Sequence, residues 1–187
     1  SRVVSHNHMP LSVDYKELHD YTYGITSDPL TQFAVAFSAL IHDVDHTGVP
    51  NALLINEDSD LAQKYCSKSV AEQNLVDLSW NLLNQPAFKD LQAWMYTSED
   101  EMRHFCQLVV NSVMATDIAD KDLGAARKAR WYKAFDNDDK SVTSHTTSGT
   151  SHTSQADINR KATIVIEHLI QASDVSHTMQ HWHSLLS

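Results

Sequence analysis

An all-α fold is the expectation for this chain, and three observations carry it. Apolar residues recur at three- and four-residue spacing in one segment after another. No run of useful length alternates apolar with polar residues as a half-buried strand does. Only 4 Gly and 4 Pro interrupt 187 residues, which fits compact helices better than a fold made of many tight turns.

The elements follow in order. Ser1 to about Asp28 mixes His, Ser, Pro and Asp without a sustained period and reads as an entry loop. Asp28-Pro29 is a helix start, a capping carboxylate followed by proline in the first turn, and Phe33, Phe37, Leu40 and Ile41 follow at helical spacing. After Asn51, a short apolar piece leads to Ser69-Val70-Ala71-Glu72, a capping-box pattern opening a helix with Leu75, Leu78 and Leu82 turned inward. A second box, Ser98 to Glu101, opens a helix striped by Met102, Phe105, Val109 and Val113 that ends near Asp117. Lys121 to Phe135 reads as a basic surface helix. Residues 136–157, rich in Ser and Thr, bury too little apolar surface to offset chain entropy and read as a mobile insert, its His145 and His152 solvated. Ala162, Val165, Ile166, Leu169 and Ile170 mark a last helix running into Asp174.

Composition narrows the function classes. With 42% hydrophobic and 20% charged residues, the chain is ordinary for one domain with a sizeable core. A net charge of -10 argues against binding nucleic acid through its phosphates, which rewards a basic face. No apolar run approaches the roughly 18 residues of a membrane span, so direct membrane contact is not expected. Cys66 and Cys106 stand apart without a metal or redox spacing and read as buried thiols in a reducing, cytoplasmic setting, including the cytosolic part of a larger membrane-anchored protein.

The chemistry concentrates in Ile41-His42-Asp43-Val44-Asp45-His46-Thr47-Gly48-Val49-Pro50-Asn51. Two imidazoles and two carboxylates in five positions at the end of an apolar helix are the ligand types divalent metals prefer. Adjacent His42 and Asp43 can serve two neighbouring ions if a carboxylate bridges them. Three apolar helices each close on an acid, at Asp43, Asp117 and Asp174, and helix C-termini disfavour anions unless a cation compensates. Each residue also has a plainer reading: Asp117 and Asp174 as turn acids, His46 as a turn residue bonded to its own loop, and Glu72 as part of its capping box.

The string His-Asp-Val-Asp-His-Thr-Gly-Val-Pro-Asn resembles the metal motif HD-x-DH-x-G-x-x-N of the class I cyclic nucleotide phosphodiesterases. Ala115-Thr116-Asp117-Ile118 is similar to that family's ATDM block, and Ala172-Ser173-Asp174-Val175-Ser176-His177 to its ADLSN block, in the same order. The resemblance implies a truncated multi-helix HD-domain fold and hydrolysis of cAMP or cGMP to the 5′-monophosphate in signal transduction. It implies two divalent ions, a zinc-like one held by His42, Asp43 and Asp174 and a magnesium or manganese ion that Asp43 bridges and Asp117 supports through water. His46 then lies near the phosphate, Glu72 stands behind the site, and Asn51 and His177 fall on the substrate side. Neighbouring domains or a homodimer partner are implied as well.

Departures from the family pattern bear on activity. No HN-x-x-H block, which would supply the general acid and a further metal ligand, is found; His6-Asn7-His8 places Pro10 where the second histidine belongs. Asn74-Leu75 replaces a common pair of histidines, His177 stands where relatives have asparagine, and the purine-binding glutamine has no counterpart. The expectation is the middle of a larger catalytic domain. Residues 1–187 alone are expected to be inactive, because proton delivery by itself contributes about 10²–10⁴-fold; magnesium-dependent hydrolysis of cyclic GMP by that polypeptide would contradict this. Two other readings stay open: a catalytically dead regulatory or dimerisation module of the same fold, and another HD-type nucleotide phosphohydrolase.

Overall fold

The computed structural model describes residues 14–57, 59–141 and 154–176. It is helical, with no strand among the described residues. The helices are α1 Tyr15–Tyr21, α2 Pro29–Ile41, α3 Asn51–Glu57, α4 Ser59–Lys64, α5 Val70–Leu83, α6 Lys89–Met95, α7 Glu99–Met114, α8 Lys121–Ser141 and α9 Gln155–Asp174. Single 3₁₀ turns precede α2 and α6.

Two of the expected helix starts form. Asp28 caps α2 by accepting from the Leu30 N–H at 3.2 Å, with Pro29 in the first turn. Ser98 Oγ accepts from the Glu101 N–H, and Glu101 reaches back to accept from the Thr97 N–H at 2.7 Å, so the reciprocal bond closes one residue earlier than in the standard box. The box expected at Ser69 does not form. Ser69 lies in the left-handed region at φ 37°, which turns its hydroxyl away from the helix; that Oγ is buried without a hydrogen-bond partner.

The core sits where α2, α5, α7 and α9 meet. Ala34, Ile41, Leu75, Leu83, Phe105, Val109, Val113, Ile166 and Ile170 form its buried cluster, joined by Met95 and Leu108. Ala34 and Ser38 are small and fully buried on α2, which lets that helix approach α7 closely. Phe105 is the hub, its ring within 5.6–6.3 Å of Phe33, Phe37, Trp80 and Tyr96.

Leu78 and Leu82, expected inward, and the apolar-stripe positions Leu40 and Leu169 fall off the buried faces and are all exposed. The buried stripe of α5 runs Glu72, Leu75, Ser79, Leu83, because the direction of the packing partner, rather than leucine content, selects the face. Cys66, expected to be buried, is exposed, and Cys106 is half-buried; both thiols are free.

The entry segment is more ordered than expected. Asp14 accepts from the Lys16 and Glu17 N–H groups, and this local cap sets α1, which buries none of its residues. Helix also enters the expected insert from both sides, with α8 continuing to Ser141 and α9 starting at Gln155; propagating a helix needs one bond per residue and no apolar burial. Residues 142–153, with His145 and His152, lie outside the described residues, as do His6, His8 and His177.

Helix α8 is not simply a basic surface helix, since it turns Arg127 and Ala134 inward. Glu167 on α9 is buried and accepts a two-pronged pair of bonds from Arg130, at 3.0 and 2.8 Å. Burial pushes the Glu167 carboxyl up, more than the Arg130 charge pulls it down. The folded chain therefore binds more protons than the unfolded one just above the ordinary carboxyl range, and stability falls as pH rises through that interval. Thermal melts of Glu167→Gln from about pH 4 to 7 are expected to show a flatter fall in Tm than wild type; an unchanged slope would contradict this.

Candidate metal centre

Helices α2 and α9 converge at their C-terminal ends. The His42 N–H still bonds to the Ser38 carbonyl, so its ring hangs from the last helical turn; Asp174 is the final residue of α9. The backbone then turns sharply through Asp45 at φ 60° and Gly48 at φ 76°. Glycine meets that left-handed geometry without a Cβ penalty at Gly48, whereas Asp45 carries some strain.

His42, Asp43 and Asp174 offer one ligand atom each, all within 4.8 Å of one another. His42 Nε2 is 3.2 Å from Asp43 Oδ2 and 3.4 Å from Asp174 Oδ1. His42 Nδ1 lies 2.8 Å from the Ala39 carbonyl, a contact that requires an N–H there. In the neutral ring the bare lone pair of Nε2 then faces two carboxylates, at the negative ends of two helices. A cation held between them would relieve this arrangement. Donors on 2.0–2.1 Å bonds at a tetrahedral ion stand about 3.3 Å apart, the separation seen for both pairs. His42 and Asp174 are partly covered, whereas Asp43 is mostly exposed. Beside them opens a cleft of about 310 Å³ lined by Ala39, His42, Asp43, Ile170, Ser173 and Asp174.

A second cluster forms around Asn51, the first residue of α3. Its amide nitrogen donates to Glu72 Oε2 at 2.8 Å and to Asp117 Oδ2 at 3.2 Å, and its oxygen accepts from the Ala71 N–H at 2.9 Å. Both amide hydrogens and the oxygen are thus engaged within the protein. Burial raises the Glu72 carboxyl; the Asn51 bond opposes this, and the nearby Asp117 charge adds to it. Asp117 is buried and is not among the three residues that gather at His42; it sits instead with Asn51 and Glu72. His46 is exposed, and its Nδ1 accepts from the Gly48 N–H at 3.1 Å, the loop bond of its plainer reading. That bond leaves the ring proton on Nε2, free to donate outward.

Sequence reasoning missed two polar residues near this site. Arg127 was grouped with a surface helix, yet its guanidinium reaches the Asp117 carbonyl at 3.2 Å; Gln171, unremarked, donates to the Ala115 carbonyl at 2.8 Å. An arginine inside a basic-rich helix gives no sign that it is buried, whereas Gln171 three residues before Asp174 shares its helix face.

Solved phosphodiesterase domains share this all-helical fold. The phosphodiesterase domain of a rhodopsin phosphodiesterase from Salpingoeca rosetta superposes with TM-score 0.62 at 23% identity, covering 88% of this chain and 47% of that one. The structure of LmjPDEB1 in complex with IBMX gives 0.61 at 24% identity, covering 88% and 44%. Residues 12–185 match the 3'5'-cyclic nucleotide phosphodiesterase family, and the chain belongs to it. Mouse and human dual specificity calcium/calmodulin-dependent 3',5'-cyclic nucleotide phosphodiesterase 1C are each 38% identical over 87 residues, 46% of this chain. The chain spans 12% of the length of these curated relatives. Membership implies use of divalent metal, which the donor set at His42 fits. No described helix is long and apolar enough to cross a membrane.

Proposed function

We propose that this chain carries part of the active site of a 3′,5′-cyclic nucleotide phosphodiesterase, hydrolysing cAMP or cGMP to the 5′-monophosphate. The observation that supports it most is the meeting of the adjacent His42 and Asp43 with Asp174, distant from them in sequence, around one point. His42 and Asp174, with Asp43, hold a zinc-like ion. Asp43, the most exposed of the three, would also help hold a magnesium or manganese ion, with Asp117 supporting that ion through water. When bound, the two ions supply positive charge that polarises the phosphodiester and acidifies water.

The chain's own groups do the rest. The Ala39 carbonyl fixes the His42 tautomer and ring direction, as partners behind metal-bound histidines generally do. His46 presents an Nε2–H donor to a phosphate oxygen. Glu72, kept basic enough to accept a proton by its raised carboxyl, is held by Asn51 and accepts a hydrogen bond or proton from water at the reaction centre.

The test is hydrolysis of cAMP and cGMP by the full-length protein, with product identified as the 5′-monophosphate. The account expects activity that a chelator abolishes and added zinc with magnesium restores. Absence of turnover in a folded, metal-loaded full-length protein would favour a regulatory module of the same fold; turnover of other nucleotides alone would favour another HD-type phosphohydrolase.

A further inference from the structure

The turn that follows α7 is held in an unusual way. After Met114 the chain must place the buried Asp117, yet the last carbonyls of a helix have no partner within it. Here side chains from two other helices supply the donors. Arg127 of α8 is buried and donates to the Asp117 carbonyl at 3.2 Å and, at a longer 3.5 Å, to the Met114 carbonyl. Gln171 of α9 donates to the intervening Ala115 carbonyl at 2.8 Å. On the far side of Asp117, its carboxylate accepts from Asn51 at 3.2 Å and from the Asp120 N–H at 3.1 Å.

Gln171 stands three residues before Asp174 on the same helix, and residues so spaced share a face. Its bond therefore joins the helix that carries Asp174 to the turn that carries Asp117. Arg127 clamps that turn from the opposite helix, and a guanidinium can hold two acceptors at fixed angles where an ammonium holds them loosely. The buried positive charge is balanced from α9, because Glu167, paired to Arg130, lies close enough for the Arg127 charge to act on it.

We propose that Arg127 and Gln171 are positioning residues that hold Asp117 in register with Asp174, and so set the affinity of the second, Asp117-supported ion without touching the first. The inference rests on the two-ion reading above. Its test is a titration of the metal-free full-length protein with manganese alone, free Mn²⁺ being read by electron paramagnetic resonance.

Wild type is expected to show two classes of Mn²⁺ site. Gln171→Met and Arg127→Met should weaken the second class about tenfold, the scale on which partners behind metal ligands act, and leave the first within about twofold. Arg127→Lys, which keeps the charge and one donor, should fall between. Second-class affinity equal to wild type in the methionine variants would overturn the proposal, and so would equal weakening of both classes, the mark of a merely structural role. If Arg127→Met does not fold, Gln171→Met decides by the same criteria. A wild type with a single class of site would instead overturn the two-ion reading, and this inference with it.

Discussion

Replacing Asp174 with asparagine in the full-length protein is expected to remove the tight ion and lower cyclic-nucleotide turnover by more than about 100-fold. Loss of partners behind metal ligands already costs about 10–100-fold in affinity or activity, and Asp174 is placed as a ligand itself, 3.4 Å from His42 Nε2. Asparagine keeps the shape and takes away the charge. The metal-free fold should therefore not suffer, since the substitution relieves a carboxylate at the negative end of α9. What should vanish is the rise in Tm on adding zinc, because a ligand stabilises only the state that binds it. Scanning calorimetry with and without zinc, beside a turnover assay, checks both parts. A variant that keeps its zinc-dependent rise and most of its activity would remove Asp174 from the site.

The second large effect is structural. Phe105 is fully buried, and four aromatic rings surround its own, from Phe37 at 5.6 Å to Trp80 at 6.3 Å. Those rings come from α2, α5 and the end of α6, so the site's first helix is packed against this one side chain. Phe105→Ala should cost about 3–5 kcal/mol, the transfer and cavity terms together, because stacked rings on several helices cannot all collapse into the space. For a domain of ordinary stability, about 5–15 kcal/mol, that is a large share. Urea unfolding measures it directly; a loss below about 1 kcal/mol would mean that the core is not organised around this ring. Phe105→Leu should recover part of the loss.

How much was legible in the sequence depends on how local the cause is. The starts of α2 and α7 were legible because Asp28-Pro29 and Ser98 to Glu101 satisfy their own backbone within a few residues. The His42–Asp43 end was legible because its chemistry lies in consecutive positions, and Asp174 through the order of its motif. The Asn51 amide is engaged by Glu72 and Ala71 of α5 and by Asp117 after α7, partners distant in sequence that no local pattern reveals.

Two of the failures share one physical origin. Leu78 and Leu82 had the right chemistry for a core but stand off the stripe that faces α7, and which stripe faces inward is settled by the neighbouring helix. Ser69 carried a capping signature, but its backbone adopted a left-handed conformation that capping cannot use. Arg127 falls in a stretch that reads as a basic surface helix because burying a charge is costly; here its hydrogen bond to the Asp117 carbonyl offsets that cost. The face of α5 and the burial of Arg127 each depend on contacts with other parts of the chain, which no local pattern carries.

The most direct test of the central claim is anomalous diffraction at the zinc edge from crystals of the full-length protein. The account predicts one strong peak about 2.0–2.2 Å from His42 Nε2 and from a carboxylate oxygen of each of Asp43 and Asp174. A peak bound by other residues, or Asp174 turned away from the His42 ring in the zinc-loaded crystal, would contradict it.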